Sequence, residues 1–414
     1  MKAITTAPRQ SCSRCLPYPS PLQRPAGRWC GWTGFICWGS GRARQMRSPI
    51  CTPRFTPTDP MTALAGFAPP RDRRRAARKA HVWLAIVLAV AAIGSLAIGA
   101  SGTSLWHALF KIVTGAPLTQ LERVVLWDIR LPRLIMGICV GAALAVSGAV
   151  MQGLFRNPLA DPGLLGVSAG AGLGAIVAIV LGGLLPVAVL TVAGFWLIPL
   201  AAFLGGWAAT LLLYRVSTRR GRTSVATMLL AGIALGALTG ALGGLLIYFA
   251  DDTQLRDLTF WGLGSLAGAT WTKVAIAGPL ILLATGVAMR LGGGLNALAF
   301  GEATAAHMGV PVQRVKHTAI LTVAAATGAA VAMSGGIGFV GIVVPHLLRL
   351  ATGPDHEPLL VNAALLGATL LLTADIISRV IIAPAELPIG LITAILGAPV
   401  FFWILLRHRG LVDL

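Results

Sequence analysis

The chain has 414 residues, of which 56% are apolar and only 11% are charged, and its formal net charge is +19. A soluble domain carries roughly 25% charged residues, so this composition excludes an ordinary soluble protein. Apolar runs long enough to cross a bilayer, which takes roughly 20 residues of helix, recur from His81 to the C-terminus. The basic residues form no compact domain interleaved with aromatic residues, so nucleic-acid binding is not favoured either.

Residues 1–60 differ in composition from the rest of the chain. They hold five of the six cysteines, many Pro, Arg and Ser residues, and a single acid, Asp59. Such a segment buries too little apolar surface to offset chain entropy, so we predict a disordered tail or an overextended reading frame, with Met61 as the natural start. The "CSRC" at 12–15 has no second CxxC, so a zinc site is not favoured and we predict no metal.

The remaining chain predicts an all-α polytopic membrane protein with about ten spans. A basic stretch, "RDRRRAARK" at 71–79, makes 61–81 a cytoplasmic N-terminal segment, followed by a transmembrane domain over 82–409. The eighth span is too short to cross alone, and the Gly-rich break "SGGIGFVG" is predicted to join it to the seventh. The predicted spans are 82–101, 133–153, 164–183, 192–214, 225–249, 273–291, 317–334, 339–350, 359–381 and 388–406.

Loop charges predict the orientation of these spans, because Lys and Arg are retained on the cytoplasmic side. The loop "RVSTRRGR" (215–222), the pair Arg314 and Lys316, and the terminal "RHRG" are basic, whereas the alternate loop at 250–260 has three Asp residues and one Arg. An even number of spans with both termini in the cytoplasm fits this pattern.

No energy source is visible in the sequence. It has no GxxxxGK[ST] phosphate loop, and the cluster "SAGAGLGA" (168–175) lies inside a span, where it predicts close helix packing through small residues. The ionisable residues of the spans are concentrated in Asp375 and Arg379, one helical turn apart. They are either a local structural pair or, for Arg379, part of a docking site. A transporter built this way takes its drive from a partner.

Four long stretches, in order, resemble the FecCD family of permeases from type II ABC importers. They are 130–175 with "FRNPLADPG", 295–310 with "FGEATAAHMGV", 334–350 with "GFVGIVVPHLLR", and 374–406. The resemblance runs from about Trp83 to Arg409. It implies a ten-helix permease in the bacterial inner membrane that forms a homodimer, works with two cytoplasmic ATPase subunits and a periplasmic binding protein, and has no ATPase site or cofactor of its own.

The resemblance also implies a gate and a coupling helix. Asn157 and Leu159, in the link between the second and third spans, match one part of the inner gate, and the segment Ser224–Thr227 matches the other. From the residues alone, a tight turn forced by its prolines is favoured for the first link, and the resemblance shifts the preference to the gate. The stretch near 296–312 matches the helices that contact the ATPase, where the alternative is an ordinary loop helix. The implied coupling residues are Phe300, Gly301, Glu302, Ala303, Ala305 and Gly309.

Arginines are implied at the outer mouth. Arg130, Arg133 and Arg379 match the positions that meet acidic residues of the binding protein, and a guanidinium suits a carboxylate partner. The alternatives are headgroup anchors or local pairs. Near the inner surface, His346 is predicted to cap a helix end or bond to a backbone group rather than to bind metal. Arg349 suits lipid phosphates or the ATPase contact.

The substrate is predicted less directly than the fold. The stretch 248–271 resembles the corresponding outer part of haem permeases, so haem is favoured over an iron-siderophore, and either over cobalamin. Met151, His107 and Tyr248 are candidate haem contacts, but core packing explains the first and interfacial positions explain the other two.

Two other classes of membrane protein are weighed against the importer. An ion-coupled secondary transporter would need inverted repeats or a mid-membrane ion site, and neither is clear. An intramembrane enzyme would need a nucleophile–base pair or a metal motif such as HExxH. Co-purification with an ATPase would separate an importer from both.

Overall fold

The computed structural model describes residues 73–99, 105–220 and 222–407. The predicted extension 1–60, with its "CSRC" and the proposed start at Met61, lies outside these residues. The described helices are α1 (Arg73–Ala97), α2 (Leu105–Thr114), α3 (Gln120–Arg123), α4 (Leu131–Phe155), α5 (Val167–Leu181), α6 (Val187–Ser217), α7 (Val225–Tyr248), α8 (Asp252–Leu263), α9 (Trp271–Met289), α10 (Gly292–Leu298), α11 (Glu302–His307), α12 (Val312–Ser334), α13 (Val340–Thr352), α14 (His356–Val380) and α15 (Ile389–Arg407).

Shorter elements connect these helices. A π-helical stretch, Val124–Arg130, runs directly into α4, and 3-10 turns occupy Pro162–Leu165 and Gly182–Leu184. Two residues of β1 (Thr218–Arg219) pair antiparallel with β2 (Arg222–Thr223), which forms a small hairpin between α6 and α7.

The all-α prediction is confirmed, and each of the ten predicted spans is a helix. In the described part of the chain, eight helices are long and apolar enough to cross a membrane, while α13 and α15 contribute shorter apolar stretches. The predicted break before the eighth span is confirmed between α12 and α13, where Gly335 and Phe339 take positive φ angles of 71° and 66°. The sequence did not predict α2, α8 or the separation of α10 from α11.

Helix α4 is the centre of the fold. It packs against α9, α12, α13 and α14, and 83% of its spanning window is buried, compared with 6% for α1 and 11% for α7. Glycines make this possible, because a Cβ at Gly141 would overlap the backbone of Gly367 and one at Gly148 would overlap the backbone of Gly341. The helices that surround α4 therefore approach it at backbone distance.

The small-residue cluster in the third span packs as the sequence predicts. Gly170 and Gly174 of α5 meet the backbone of Gly205 and Ala201 of α6, so a side chain at either glycine would collide with α6. Gly172, between them, faces open space. The cluster therefore serves close helix packing rather than a nucleotide fingerprint.

The C-terminal ends of α8 and α12 and the N-terminal end of α15 are joined through backbone hydrogen bonds. Ser265 N donates to Ser334 O at 2.7 Å, Gly336 N to Trp261 O at 3.3 Å, and Ile389 N to Gly264 O at 3.0 Å. These bonds satisfy the irregular backbone of the break, which is a requirement for non-helical chain at membrane depth.

Candidate gate, coupling and docking sites

The first predicted gate segment is a turn fixed by its own side chains. Helix α4 ends at Phe155, and its C-cap residue Arg156 takes a left-handed conformation with a φ of 50°. Asn157 Oδ1 then accepts from Leu159 N at 2.9 Å, and Asp161 Oδ1 accepts from Gly163 N at 2.7 Å. The reversal therefore depends on these two side-chain acceptors as well as on the prolines. Asn157 is exposed and Leu159 is half-buried.

The second predicted gate segment opens α7. Ser224 is its N-cap, and the Ser224 Oγ accepts from Thr227 N at 3.3 Å and lies 2.9 Å from Thr227 Oγ1. Both side chains are exposed, and α7 contacts the 3-10 turn Pro162–Leu165 that follows the first segment. The fold thus brings the two predicted gate segments to the same end of the molecule.

A partly enclosed cavity of about 320 Å³ lies next to the first gate segment. Asp161, Ser168 and Thr327 contribute its polar wall, and Trp261 and Gly341 lie among its other lining residues. Burial raises the pKa of the Asp161 carboxyl, and the hydrogen bond from Gly163 N opposes that rise only in part.

The predicted coupling region forms two short helices, α10 and α11. Gly301 and Gly309 flank α11 with φ angles of 101° and 83°, which only glycine adopts without strain, so the predicted helix end at Gly309 is confirmed. Ala305 is fully buried against the rest of the protein, whereas Phe300 is 72% exposed and Glu302 is also exposed.

The three predicted docking arginines are close together but buried. Arg133 Nε donates to Asp375 Oδ1 at 2.8 Å, and its Nη1 lies 2.9 Å from Glu386 Oε2. Arg379 pairs with Asp375 at 3.0 Å, which confirms the pair predicted from their spacing. Asp375 is fully buried and lies between the two guanidinium groups, and together with Glu386 it balances the charges of Arg133 and Arg379.

The same cluster holds the C-terminal end of α1. Arg379 Nη1 donates to Ser95 O at 3.1 Å and to Ile98 O at 3.0 Å, and Arg130 Nη1 donates to Leu96 O at 2.5 Å. Basic groups suit the last carbonyls of a helix, which carry its partial negative charge. All three arginines are at least nine-tenths buried and have partners within the chain, and their docking role stays a prediction. We name this set, Arg130, Arg133, Arg379, Asp375 and Glu386, the outer arginine cluster.

A second polar cluster lies at the opposite end of α4. Arg349 Nη1 of α13 donates to Gln152 Oε1 at 2.5 Å, and its Nη2 lies 3.4 Å from His356 Nε2. His356 N donates to Asn296 Oδ1 at 2.8 Å, and Asn296 Nδ2 donates to Asp355 Oδ1 at 2.7 Å. We name Gln152, Asn296, Arg349 and His356 the inner cluster. It links the end of α4 to α10, and sequence spacing gives no sign of it.

The remaining candidate residues do not converge on a haem site. Met151 is fully buried in the main hydrophobic core, His107 is exposed on the short helix α2, and Tyr248 is exposed at the end of α7. His346 is buried within α13. Across residues 73–99, 105–220 and 222–407, no three His, Cys, Asp or Glu side chains are grouped to hold a metal ion.

One basic residue lies elsewhere than the loop charges predict. The sequence places Lys316 among the cytoplasmic loop charges after the sixth span, but it belongs to α12 and is 1% exposed. Helix α12 begins five residues earlier than the predicted span, so Lys316 belongs to the helix, where its side chain is enclosed. Neighbouring Arg314 is exposed.

Known proteins resemble this chain over nearly all of its membrane domain. The FecCD transport family matches residues 84–407. The hemin transport system permease protein HmuU of Yersinia pestis is 44% identical over 328 residues, which are 79% of this chain and 95% of that protein. The vitamin B12 import system permease protein BtuC of Shigella boydii is 42% identical over 327 residues, which are 79% and 94% of the two chains.

A solved structure agrees with these relatives. An inward-facing metal-chelate-type ABC transporter superposes with a TM-score of 0.70 and 32% identity, covering 80% of this chain and 99% of that one. Fold and relatives together define a multi-pass permease of the type II ABC importer class, located in the bacterial inner membrane. The chain belongs to the FecCD transport family.

Proposed function

We propose that the chain is the transmembrane permease subunit of an ATP-driven importer that carries haem from the periplasm to the cytoplasm. The observation that carries this proposal is the exposed coupling helix α11, with Phe300 beside it, at the same end of the fold as both gate segments. Similarity to a hemin permease over 95% of that protein's length supports haem as the cargo. The ATP site belongs to a partner, since the sequence has no phosphate loop.

The permease acts as a homodimer with the path between two copies. Helix α7, which begins with the second gate segment, carries a continuous apolar face that is exposed in the single chain, and α15 carries another. A second copy that covers these faces would enclose a path directly above the gate. Two ATPase subunits would then bind below, one on each α11, with both termini of the permease on the same cytoplasmic side.

A periplasmic binding protein docks at the outer arginine cluster. The three arginines are buried and already have partners within the chain. A carboxylate of the binding protein can therefore pair with them only by replacing a carboxylate of the permease. Glu386 is the exchangeable member, since its side chain is 37% exposed while that of Asp375 is enclosed. Glu386→Gln is therefore expected to lower the binding-protein concentration that half-saturates ATPase stimulation. An unchanged or raised concentration would count against docking at Arg133.

Cobalamin is the second candidate cargo, because the BtuC relatives are nearly as similar as HmuU. An iron-siderophore is the third, in line with the metal-chelate transporter of similar fold. The gate and coupling segments serve any of these cargoes, so cargo must be measured directly.

Growth on defined sources tests the cargo. A strain lacking the protein is starved of iron and given haem or a siderophore as sole iron source, with cobalamin dependence tested separately. We expect loss of haem use alone, restored by the full-length chain and by the chain from Met61. Normal use of haem with loss of cobalamin or siderophore use would replace the cargo. Normal use of all three would remove the importer assignment for these cargoes.

A matched pair of variants tests the coupling helix. Phe300→Ser removes an exposed side chain at the proposed ATPase contact, and Phe110→Ser removes a similarly exposed one from α2. Only Phe300→Ser is expected to reduce co-purification with the ATPase and to abolish rescue. Equal effects from both variants would point to a general loss of protein.

A further inference from the structure

Lys316 is a buried cation near the start of α12. Its exposure is 1%, which makes it the largest of the fully buried side chains in the described part of the protein. Lysine is almost never buried to this extent unless its charge is paired. Its position therefore has to be explained by its partners rather than by membrane topology.

Lys316 has two partners on different segments. Its Nζ lies 2.5 Å from Glu302 Oε1, and Glu302 is the first residue of the coupling helix α11. The same Nζ donates to Thr223 O at 2.8 Å, and Thr223 immediately precedes the gate residue Ser224. One ammonium group thus touches both the proposed ATPase contact and the proposed gate.

The gate side of this connection is itself held to α12. Thr223 is buried, and its backbone N donates to Gln313 Oε1 at 3.1 Å. Gln313 and Lys316 are three residues apart on α12, so they lie on the same face of the helix and hold both backbone groups of Thr223. The segment that begins α7 is therefore fixed to α12 at its last residue before Ser224.

The two ends of the connection differ in exposure. Glu302 is 46% exposed, so a docked protein can reach it, whereas Lys316 is enclosed. Withdrawing the carboxylate of Glu302 would leave an uncompensated buried ammonium, which is strongly unfavourable. A shift of α11 that keeps this ion pair would draw Lys316 with it, and the hydrogen bond to Thr223 O would pass the shift on.

We propose that Lys316 is a positioning residue that transmits movement of the coupling helix α11 to the gate segment Ser224–Thr227. This inference rests on the proposed function, because it gives the transport cycle a mechanical link inside one permease subunit. Lys316 need not contact the cargo or the nucleotide. Its removal should separate ATP hydrolysis from uptake rather than abolish either one directly.

The test uses the full permease assembled with its ATPase and binding protein in proteoliposomes, with haem as the probe and cobalamin as the second probe. Lys316→Met keeps the length of the side chain but removes the charge, and Arg314→Met is the control, two residues away and exposed. We expect Lys316→Met to lower uptake per ATP hydrolysed by about ten-fold, in the range of typical coupling between sites. Arg314→Met should match the wild type, and Lys316→Arg should recover part of the loss.

A double-mutant cycle separates transmission from a merely structural role. Glu302→Gln lowers the same ratio if Lys316 acts through Glu302, and the double variant should be no worse than Lys316→Met alone. Additive losses would overturn the proposed link. If Lys316→Met does not assemble, Glu302→Gln alone tests the link. A wild-type ratio of uptake to ATP hydrolysis in that variant would also overturn the proposed link.

Failure of the inference differs from failure of the proposed function. A wild-type complex that couples ATP to haem or cobalamin uptake, together with a Lys316→Met complex that couples equally well, removes only the role of Lys316. A wild-type complex that takes up neither probe in response to ATP removes the proposed function, and the inference falls with it.

Discussion

The outer arginine cluster and the inner cluster lie at opposite ends of α4 and solve the burial of arginine differently. In the outer arginine cluster, Arg133 and Arg379 share the buried carboxylate of Asp375. In the inner cluster, Arg349 donates to the neutral side chains of Gln152 and His356. Carboxylates compensate the charge of Arg133 and Arg379 in the outer arginine cluster, whereas Arg349 in the inner cluster is solvated by neutral dipoles.

This difference indicates that the helices joined by the outer arginine cluster resist relative movement, whereas those joined by the inner cluster can move more easily. Breaking a buried ion pair leaves a charge without compensation, whereas exchanging one neutral hydrogen bond for another costs far less. The outer arginine cluster ties α1, α4 and α14 together. The inner cluster ties α4, α13 and α14 to α10, beside the proposed coupling helix, where a transport cycle requires movement.

The largest expected effect on stability comes from removing the carboxylate of Asp375, which Arg133 and Arg379 share. Asp375→Ala leaves two buried guanidinium groups without their common partner, and we expect a loss of about 3–5 kcal/mol in stability. Thermal unfolding of the purified protein in detergent measures it. Asp257→Ala, on the exposed surface of α8, is the control. A small effect at Asp375 would mean that the outer end is not held by charge.

Removing the inner arginine should cost less. Arg349→Met keeps the apolar stem, removes the half-buried charge, and leaves Gln152 Oε1 and His356 Nε2 without this donor. We expect a loss of about 1–3 kcal/mol by the same unfolding measurement. Exposed Arg290→Met serves for comparison. A loss as large as that of Asp375→Ala would erase the distinction between the clusters.

Removing the exposed acid of the outer cluster should cost less again. Glu386→Gln breaks a pair whose acidic side is 37% exposed, so we expect a change below about 1 kcal/mol. The deficit should shrink further at high salt, because screening weakens exposed pairs and leaves enclosed ones nearly unchanged. Unfolding at two salt concentrations measures this, and a deficit independent of salt would argue that Glu386 is as enclosed as Asp375.

The smallest effect concerns Asp161, a carboxyl near the inner end that is raised in pKa by burial. Between its ordinary pKa and the raised one, the native state binds the proton more tightly than the unfolded state, so stability falls as pH rises through that window. Asp161→Asn keeps an acceptor for Gly163 N and does not titrate, so this part of the pH dependence should vanish. Unfolding curves across the acidic range compare the two proteins, and identical curves would contradict the assignment.

The sequence predicted the helices and the ion pair between Asp375 and Arg379, and the reasons are physical. Apolar length reveals a span wherever it lies, and a spacing of four residues places Asp375 and Arg379 on one helical face. Arg133 and Asp375 are 242 residues apart, so no local spacing could reveal their bond.

The burial of basic residues near the end of a span was the property hardest to predict from the sequence. The topology rule counts the basic residues of a loop without regard to their environment. Arg314 and Lys316 therefore contribute equally to it, although Arg314 is exposed and Lys316 is enclosed. The difference depends on where α12 begins and on Glu302 being brought alongside. Both are results of tertiary packing, which a composition rule does not contain.

The burial of α4 also bears on how the protein is made. This span has a mean hydropathy of 2.3, the highest of the eight candidate spans, although it is also the most enclosed. Synthesis proceeds from the N-terminus, so α4 enters the bilayer before α12 and α14, its later neighbours, have been made. It must first be stable with lipid on every side, which requires this hydropathy. Its glycines then let the later helices displace lipid tails, so one sequence serves insertion first and assembly afterwards.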